Sequence, residues 1–238
     1  MLAVRRLVLV LALAVAGAGL GRAVPVLNFG ISSLQPSSAS ISYTGGSASL
    51  TGDNIAVQDV VGLEGAPSNA GSQFACVSCF LQFSTGSAIG EWIWDGVGSA
   101  IAITGGVSSL GIGTGTTLLS GTLSQASTVP ISGGFNVLFT AFTSELNTQL
   151  ASAFGLPSPA PYPYEGSMVL SFFVPGSSIG NAFSTQGSSL GGVMGGQVSV
   201  SAPEPTSLLL LGTGLLGLGA ARRRRLKRGA ATKQSGNI

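Results

Sequence analysis

The amino-acid sequence predicts an all-β fold, an antiparallel β-sandwich with a β-barrel as the alternative. Three observations carry the prediction. Several segments alternate apolar and polar residues with period two, the pattern of strands with one face buried and the other wet. Glycine pairs punctuate these segments at turn-like intervals in a chain of 238 residues with 37 glycines. Residues 24–202 are also too apolar for disorder, which needs low hydrophobicity together with high charge, and are long enough for one domain with a sizeable core.

Taken in order, the chain begins with Arg5 and Arg6, an apolar stretch from Leu7 to about Leu20, and the small-residue site Gly21-Arg22-Ala23. This is the layout of a secretory signal peptide, so residues 1–23 read as a signal helix cut by signal peptidase after Ala23. No cysteine stands where a lipoprotein would need one.

The expected strands are Ala39–Tyr43, Asn54–Gln58 running into Val60–Val61, Phe80–Phe83, Ile101–Thr104, Thr117–Leu123, Phe135–Phe142, Ser167–Val174 and Gln197–Val200. Gly105-Gly106, Gly133-Gly134, Pro175-Gly176 and Gly195-Gly196 read as turns between them. One short helix is expected over Ser144–Ala151, where helix formers precede Gly155 and Pro157. Pro157–Pro163, with four prolines, reads as a stiff exposed loop.

Beyond the β-rich domain stand Pro203-Glu204-Pro205, an apolar run over Thr206–Ala221, and the basic residues Arg222, Arg223, Arg224, Arg225, Lys227 and Arg228, with 229–238 as a tail. Motif, span and arginines in that order resemble the C-terminal signal of PEP-CTERM proteins, exported bacterial proteins handled by an exosortase. The resemblance covers 203–225, with Ala202 where many members carry valine. Tyr43–Gly62 and the surroundings of Cys76–Gly86 also look loosely like other ectodomains of this kind, with no activity attached. The resemblance implies an exosortase as partner, passage through the inner membrane, and a destination at the cell surface or in the exopolysaccharide-rich biofilm matrix of a Gram-negative bacterium. It also implies a role for each part: Pro203, Glu204 and Pro205 for recognition, the apolar span for presentation and the arginines for topology.

The physics of the tail is consistent with a transmembrane helix held for a short time. Sixteen residues at about 1.5 Å each span about 24 Å, less than the roughly 30 Å hydrocarbon core. Snorkelling arginines close part of that gap. Gly212, Gly214, Gly217 and Gly219 weaken the helix further, by about 1 kcal/mol each relative to alanine.

Charge is divided sharply along the chain. All ten basic residues lie at 5–22 or 222–233, whereas residues 24–202 carry Asp53, Asp59, Glu64, Glu91, Asp95, Glu145 and Glu165 and no lysine or arginine. Positive flanks around a cation-free middle follow the positive-inside rule, with the C-terminal tail cytoplasmic and the domain translocated.

The same distribution excludes function classes. The chain has no histidine, which removes Ser-His-Asp and Cys-His catalysis and imidazole metal sites. A domain without lysine or arginine has no Schiff-base chemistry, no phosphate clamp and no basic patch for nucleic acid. Of the familiar catalytic devices only a carboxylate pair remains. Glu145 and Glu165 are the pair to consider for glycoside hydrolysis, although nothing in the sequence places them together. No catalytic residue, metal site or cofactor is assigned.

Cys76 and Cys79 form a Cys-x-x-Cys pair. A redox centre or half of a metal site are the sharper readings, and Phe80 stands where haem attachment would need histidine. Strand-like flanks and an oxidising destination favour a structural disulfide. Residues three apart on a regular strand lie about 10 Å apart, while a disulfide needs Cα atoms within roughly 7 Å. Val77-Ser78 is therefore expected to form a turn or bulge.

Glu91-Trp92-Ile93-Trp94-Asp95 is the other conspicuous segment. On a strand, Trp92 and Trp94 share a face and, flanked by Glu91 and Asp95, could stack on a sugar ring; the commoner role of such a pair is core packing. Asp53-Asn54 with Asp59, or Glu91 with Asp95, could offer oxygen ligands to calcium, without the loop spacing of a calcium motif. Gly111–Gly115 is glycine-rich but lacks the lysine of a phosphate loop.

The sequence thus reads as a non-enzymatic surface or matrix protein delivered by its two end signals. A secreted carbohydrate-binding module or weak glycan-active enzyme, working through the Trp92/Trp94 face, is the alternative.

Overall fold

The computed structural model describes residues 24–131, 134–158, 163–173, 181–186 and 193–202. The described strands are β1 (Val24–Ile31), β2 (Ser40–Tyr43), β3 (Leu50–Gly62), β4 (Gln73–Ser84), β5 (Ala88–Gly90), β6 (Ile93–Asp95), β7 (Ala100–Val107), β8 (Ile112–Ile131), β9 (Gly134–Leu146), β10 (Tyr164–Phe173), β11 (Phe183–Gln186) and β12 (Val193–Ala202). One short helix, α1 (Thr148–Ala153), and a 3₁₀ turn at Ser108–Leu110 complete the described elements. The fold is all-β, as expected.

Every strand pair is antiparallel, and the described strands form one large sheet. Its order runs β1-β12-β10-β9-β8-β7-β4-β3-β2-β11, and β1 also pairs with β3, from Leu27↔Gly62 to Ile31↔Val57. Eight strands therefore make a closed ladder, with β1 the seam between β12 and β3. Closure removes the open edges that would otherwise invite pairing with other chains. The β5–β6 hairpin joins from outside, through β6 against β8.

Alternation fills the interior. In β3 the buried positions include Leu50, Ile55, Val57 and Val60, and in β9 they include Val137 and Phe139. The two layers meet where Phe83 of β4 packs edge-to-face on Phe139 of β9, with ring centroids 5.0 Å apart. Gly52 makes room for this contact, because a Cβ there would run into the Phe83 ring.

Each end of the ladder has its own plug. At the end holding Val24 and Ala202, α1 buries Leu150 and Ala151, and Phe154 behind it sets its ring edge-on to Phe74 at 5.7 Å. Asn147 caps this helix, its side-chain oxygen accepting from the N–H groups of Gln149 and Leu150 at 2.9 and 3.2 Å. At the opposite end a group of rings from Tyr43, Trp92, Trp94, Phe135, Phe172 and Phe183 fills the interior.

Some expectations change. Ser144–Leu146 are the last residues of β9, not helix: pairing from Leu119↔Leu146 to Gly121↔Ser144 outweighs local helix propensity, and α1 starts only at Thr148. Gly105-Gly106 lies within β7 and Gly195-Gly196 within β12, so neither is a turn. Strands β1, β5, β6 and β11 add to those expected. Among the described residues no helix is long and apolar enough to cross a membrane. The expected signal helix over 1–23, the Gly133 and Pro175-Gly176 turns, the centre of the proline loop and everything from Pro203 onward lie outside the described residues.

Candidate functional site

The cysteine pair is a disulfide. Cys76 and Cys79 are bonded with Cα atoms 5.6 Å apart, within β4. The bulge that the spacing demands is present. Ser78 adopts φ +50°, and the ladder slips register beside it on both sides, between Val57 and Asp59 of β3 and between Val77 and Phe80 of β4. Gly105 of β7 packs directly behind, since a Cβ there would overlap Cys79. The pair thus sits in the wall of the ladder, with Cys79 buried and Val77 exposed.

The tryptophans do not form an exposed platform. Glu91 and Trp92 make the turn of the β5–β6 hairpin, Trp92 with φ +62°, so only Trp94 is in a strand. Trp92 is 7 % exposed and Trp94 1 %. Trp92 stacks with Phe135 at 4.6 Å and with Phe183 at 5.8 Å, while Trp94 stands edge-to-face with Tyr43 at 5.3 Å. Faces that a sugar would need are therefore occupied by the protein's own rings. Trp94 Nε1 donates to the Ala48 carbonyl at 3.1 Å, and the buried Trp92 Nε1 has no partner among the described residues. Asp95 serves its own turn, accepting from the Val97 N–H at 3.2 Å, while Glu91 is solvent-exposed.

Glu145 and Glu165 come closer than the sequence suggests. Glu165 stands opposite Thr143 on the neighbouring strand, and Glu145 is two residues further along the same outward face. That diagonal relation puts them about 7–8 Å apart. Beside Glu145 runs a shallow groove of about 290 Å³ lined by Ser120, Thr122, Thr143 and Pro163. Both carboxylates are exposed on the strand surface, outside any enclosed cleft among the described residues.

The remaining carboxylates stand apart. Asp59 is the one buried acid among the described residues, at the bulge of β3, where Gln73 Nε2 donates to it at 2.6 Å. Asp53 is exposed beside Asn54, whose φ of +51° marks a second bulge. Among the described residues no three carboxylate or thiol side chains gather in the manner of a metal site. Gly111 ends the 3₁₀ turn with φ +72° and leads into β8, a structural use for the first of the glycines in 111–115.

The sequence reasoning missed the meeting of the two domain ends. Val24 pairs with Ala202 and Pro25 with Ser201. Nothing in either segment advertises a partner so distant in sequence. The residues assigned to sorting and topology, Pro203, Glu204, Pro205, Arg222–Arg225, Lys227 and Arg228, lie outside the described residues and are connected to this paired end through Ala202.

Comparison with known proteins returns one positive finding. The family model of the PEP-CTERM protein-sorting motif matches residues 201–225. No curated protein and no solved structure matches the chain.

Proposed function

Given a chain that carries a PEP-CTERM protein-sorting motif, the signal of an exported protein processed by an exosortase, we propose that it is a non-enzymatic protein of the cell surface or extracellular matrix of a Gram-negative bacterium. A signal peptide over 1–23 starts export and signal peptidase removes it. The 206–221 span then holds the precursor in the inner membrane until the exosortase cuts near Pro203–Pro205.

The observation that carries this reading is the order of motif, apolar span and basic cluster over 203–228. Seven basic residues after the span, against none in 24–202, keep the tail on the cytoplasmic side.

A matrix role is supported by what the domain presents. Its outward faces carry cross-strand hydroxyl and amide pairs, Thr122 with Thr143 at 3.0 Å, Ser171 with Asn136 at 2.8 Å and Ser42 with Thr51 at 2.9 Å. Such a hydroxyl-rich, cation-free surface suits contact with hydrated exopolysaccharide through many weak hydrogen bonds.

The test is Pro203→Ala/Pro205→Ala in the full-length chain, with loss of Arg222–Arg225 to glutamine as a separate variant. The first is expected to accumulate as membrane-held precursor, and the second to lose its fixed topology. Normal release of mature domain from the first variant would overturn the reading.

A further inference from the structure

We infer that the domain closes its ladder while its C-terminal signal is still attached, so that the exosortase acts on a folded substrate; this rests on the sorting reading above. The observation is the place of β12. It is an interior strand, paired with β1 from Val24↔Ala202 to Ile31↔Gly196 and with β10 from Glu165↔Ser201 to Phe172↔Val193. Val198 and Val200 are fully buried. Withdrawing β12 would bare two strand edges and the core behind them.

Register then fixes where the chain enters and leaves. β1 runs away from Val24 and β12 returns to Ala202, opposite it. Ala23, the last residue of the signal segment, is bonded to Val24, and Pro203, the first of the motif, to Ala202. Neither junction has a linker residue between the ladder and the segment to be removed. The cut consequently falls after Ala202, because every residue before it is locked in the ladder. The ring-filled end around Trp92 and Phe183 lies at the pole away from these attachments.

The experiment introduces Asn28→Cys/Ser199→Cys into the full-length chain. These side chains face each other across β1 and β12, with Ser199 Oγ donating to Asn28 Oδ1 at 3.4 Å. Ser167→Cys/Ser199→Cys, across β10 and β12, is a second variant that guards against a local folding failure of the first. Each is expressed in native cells with and without exosortase activity, and cross-linking is read by thiol alkylation and intact mass. The expected result is a cross-linked precursor when the exosortase is absent, and no loss of cutting rate relative to wild type when it is present. Free thiols in both precursors with a cross-link only in the cut product, or cross-linked precursors that resist cutting, would overturn the inference. Failure of the unsubstituted chain to be cut at all would instead overturn the sorting reading, and this inference with it.

Discussion

Trp92 combines three unfavourable features in one side chain: a left-handed backbone, burial and an indole N–H with no partner among the described residues. Stacking against Phe135 and Phe183 offsets them. Trp94 has the same burial but satisfies its N–H on Ala48. The two should therefore respond differently to phenylalanine. Trp92→Phe loses ring area but relieves a buried unpaired donor and should change stability by no more than about 1 kcal/mol, whereas Trp94→Phe should cost about 1–3 kcal/mol. Urea denaturation decides, and a costlier Trp92→Phe would contradict the packing described. Tyr164 gives a second test at this scale. Its hydroxyl donates to the Pro157 carbonyl at 2.7 Å, and burial raises its pKa above the usual value of 10.0. Above that value the unfolded chain gives up the tyrosine proton first, so this contribution is complete below about pH 10 and is lost as pH rises further. Tyr164→Phe should remove that alkaline loss while costing about 1 kcal/mol for the missing hydrogen bond. Denaturation midpoints followed into the alkaline range test both parts.

At the scale of the element, β4 shows how a short covalent loop is accommodated in a strand. The register slips between Val77 and Phe80, Ser78 turns left-handed, and Gly105 on the neighbouring strand provides the space. A bridge three residues long restrains little of the unfolded chain, so Cys76→Ala/Cys79→Ala should lower stability by about 2 kcal/mol while the strand content seen by circular dichroism is retained. A complete loss of fold would show that the bridge organises β4. This element was largely legible in the sequence, because alternation in Phe80–Phe83 announced the strand and the spacing of the two cysteines required a bulge. The tryptophan segment was legible in part: core packing was the commoner role expected for the pair and both indoles are buried, but no residue prone to a left-handed backbone marks the turn at Trp92, so Glu91–Asp95 read as one strand with both indoles on one face. Glu145 was misplaced for the opposite reason, since its local sequence favours helix while pairing with Ser120 of β8 holds it in a strand. Local propensity is a weak guide wherever the decisive contacts are non-local.

For the whole molecule, alternation and turn chemistry were enough to indicate an all-β domain, but the closed ladder was not legible, because β1 and β12 carry no signal of each other. Their pairing puts the two ends of the domain side by side. Residues 24–202 have seven carboxylates and no cation, so once cut the domain has no basic patch to hold it at an anionic membrane. What the molecule does is thus tied to its ends, with the domain between them built as a hydroxyl-rich, cation-free body. The most direct measurement is the intact mass of the protein recovered from native cells and from their medium, with and without exosortase activity. The account predicts a mature species beginning at Val24 and ending within Pro203–Pro205 only where the exosortase is active. Recovery of chains that retain Arg222–Ile238 in both cases would contradict it.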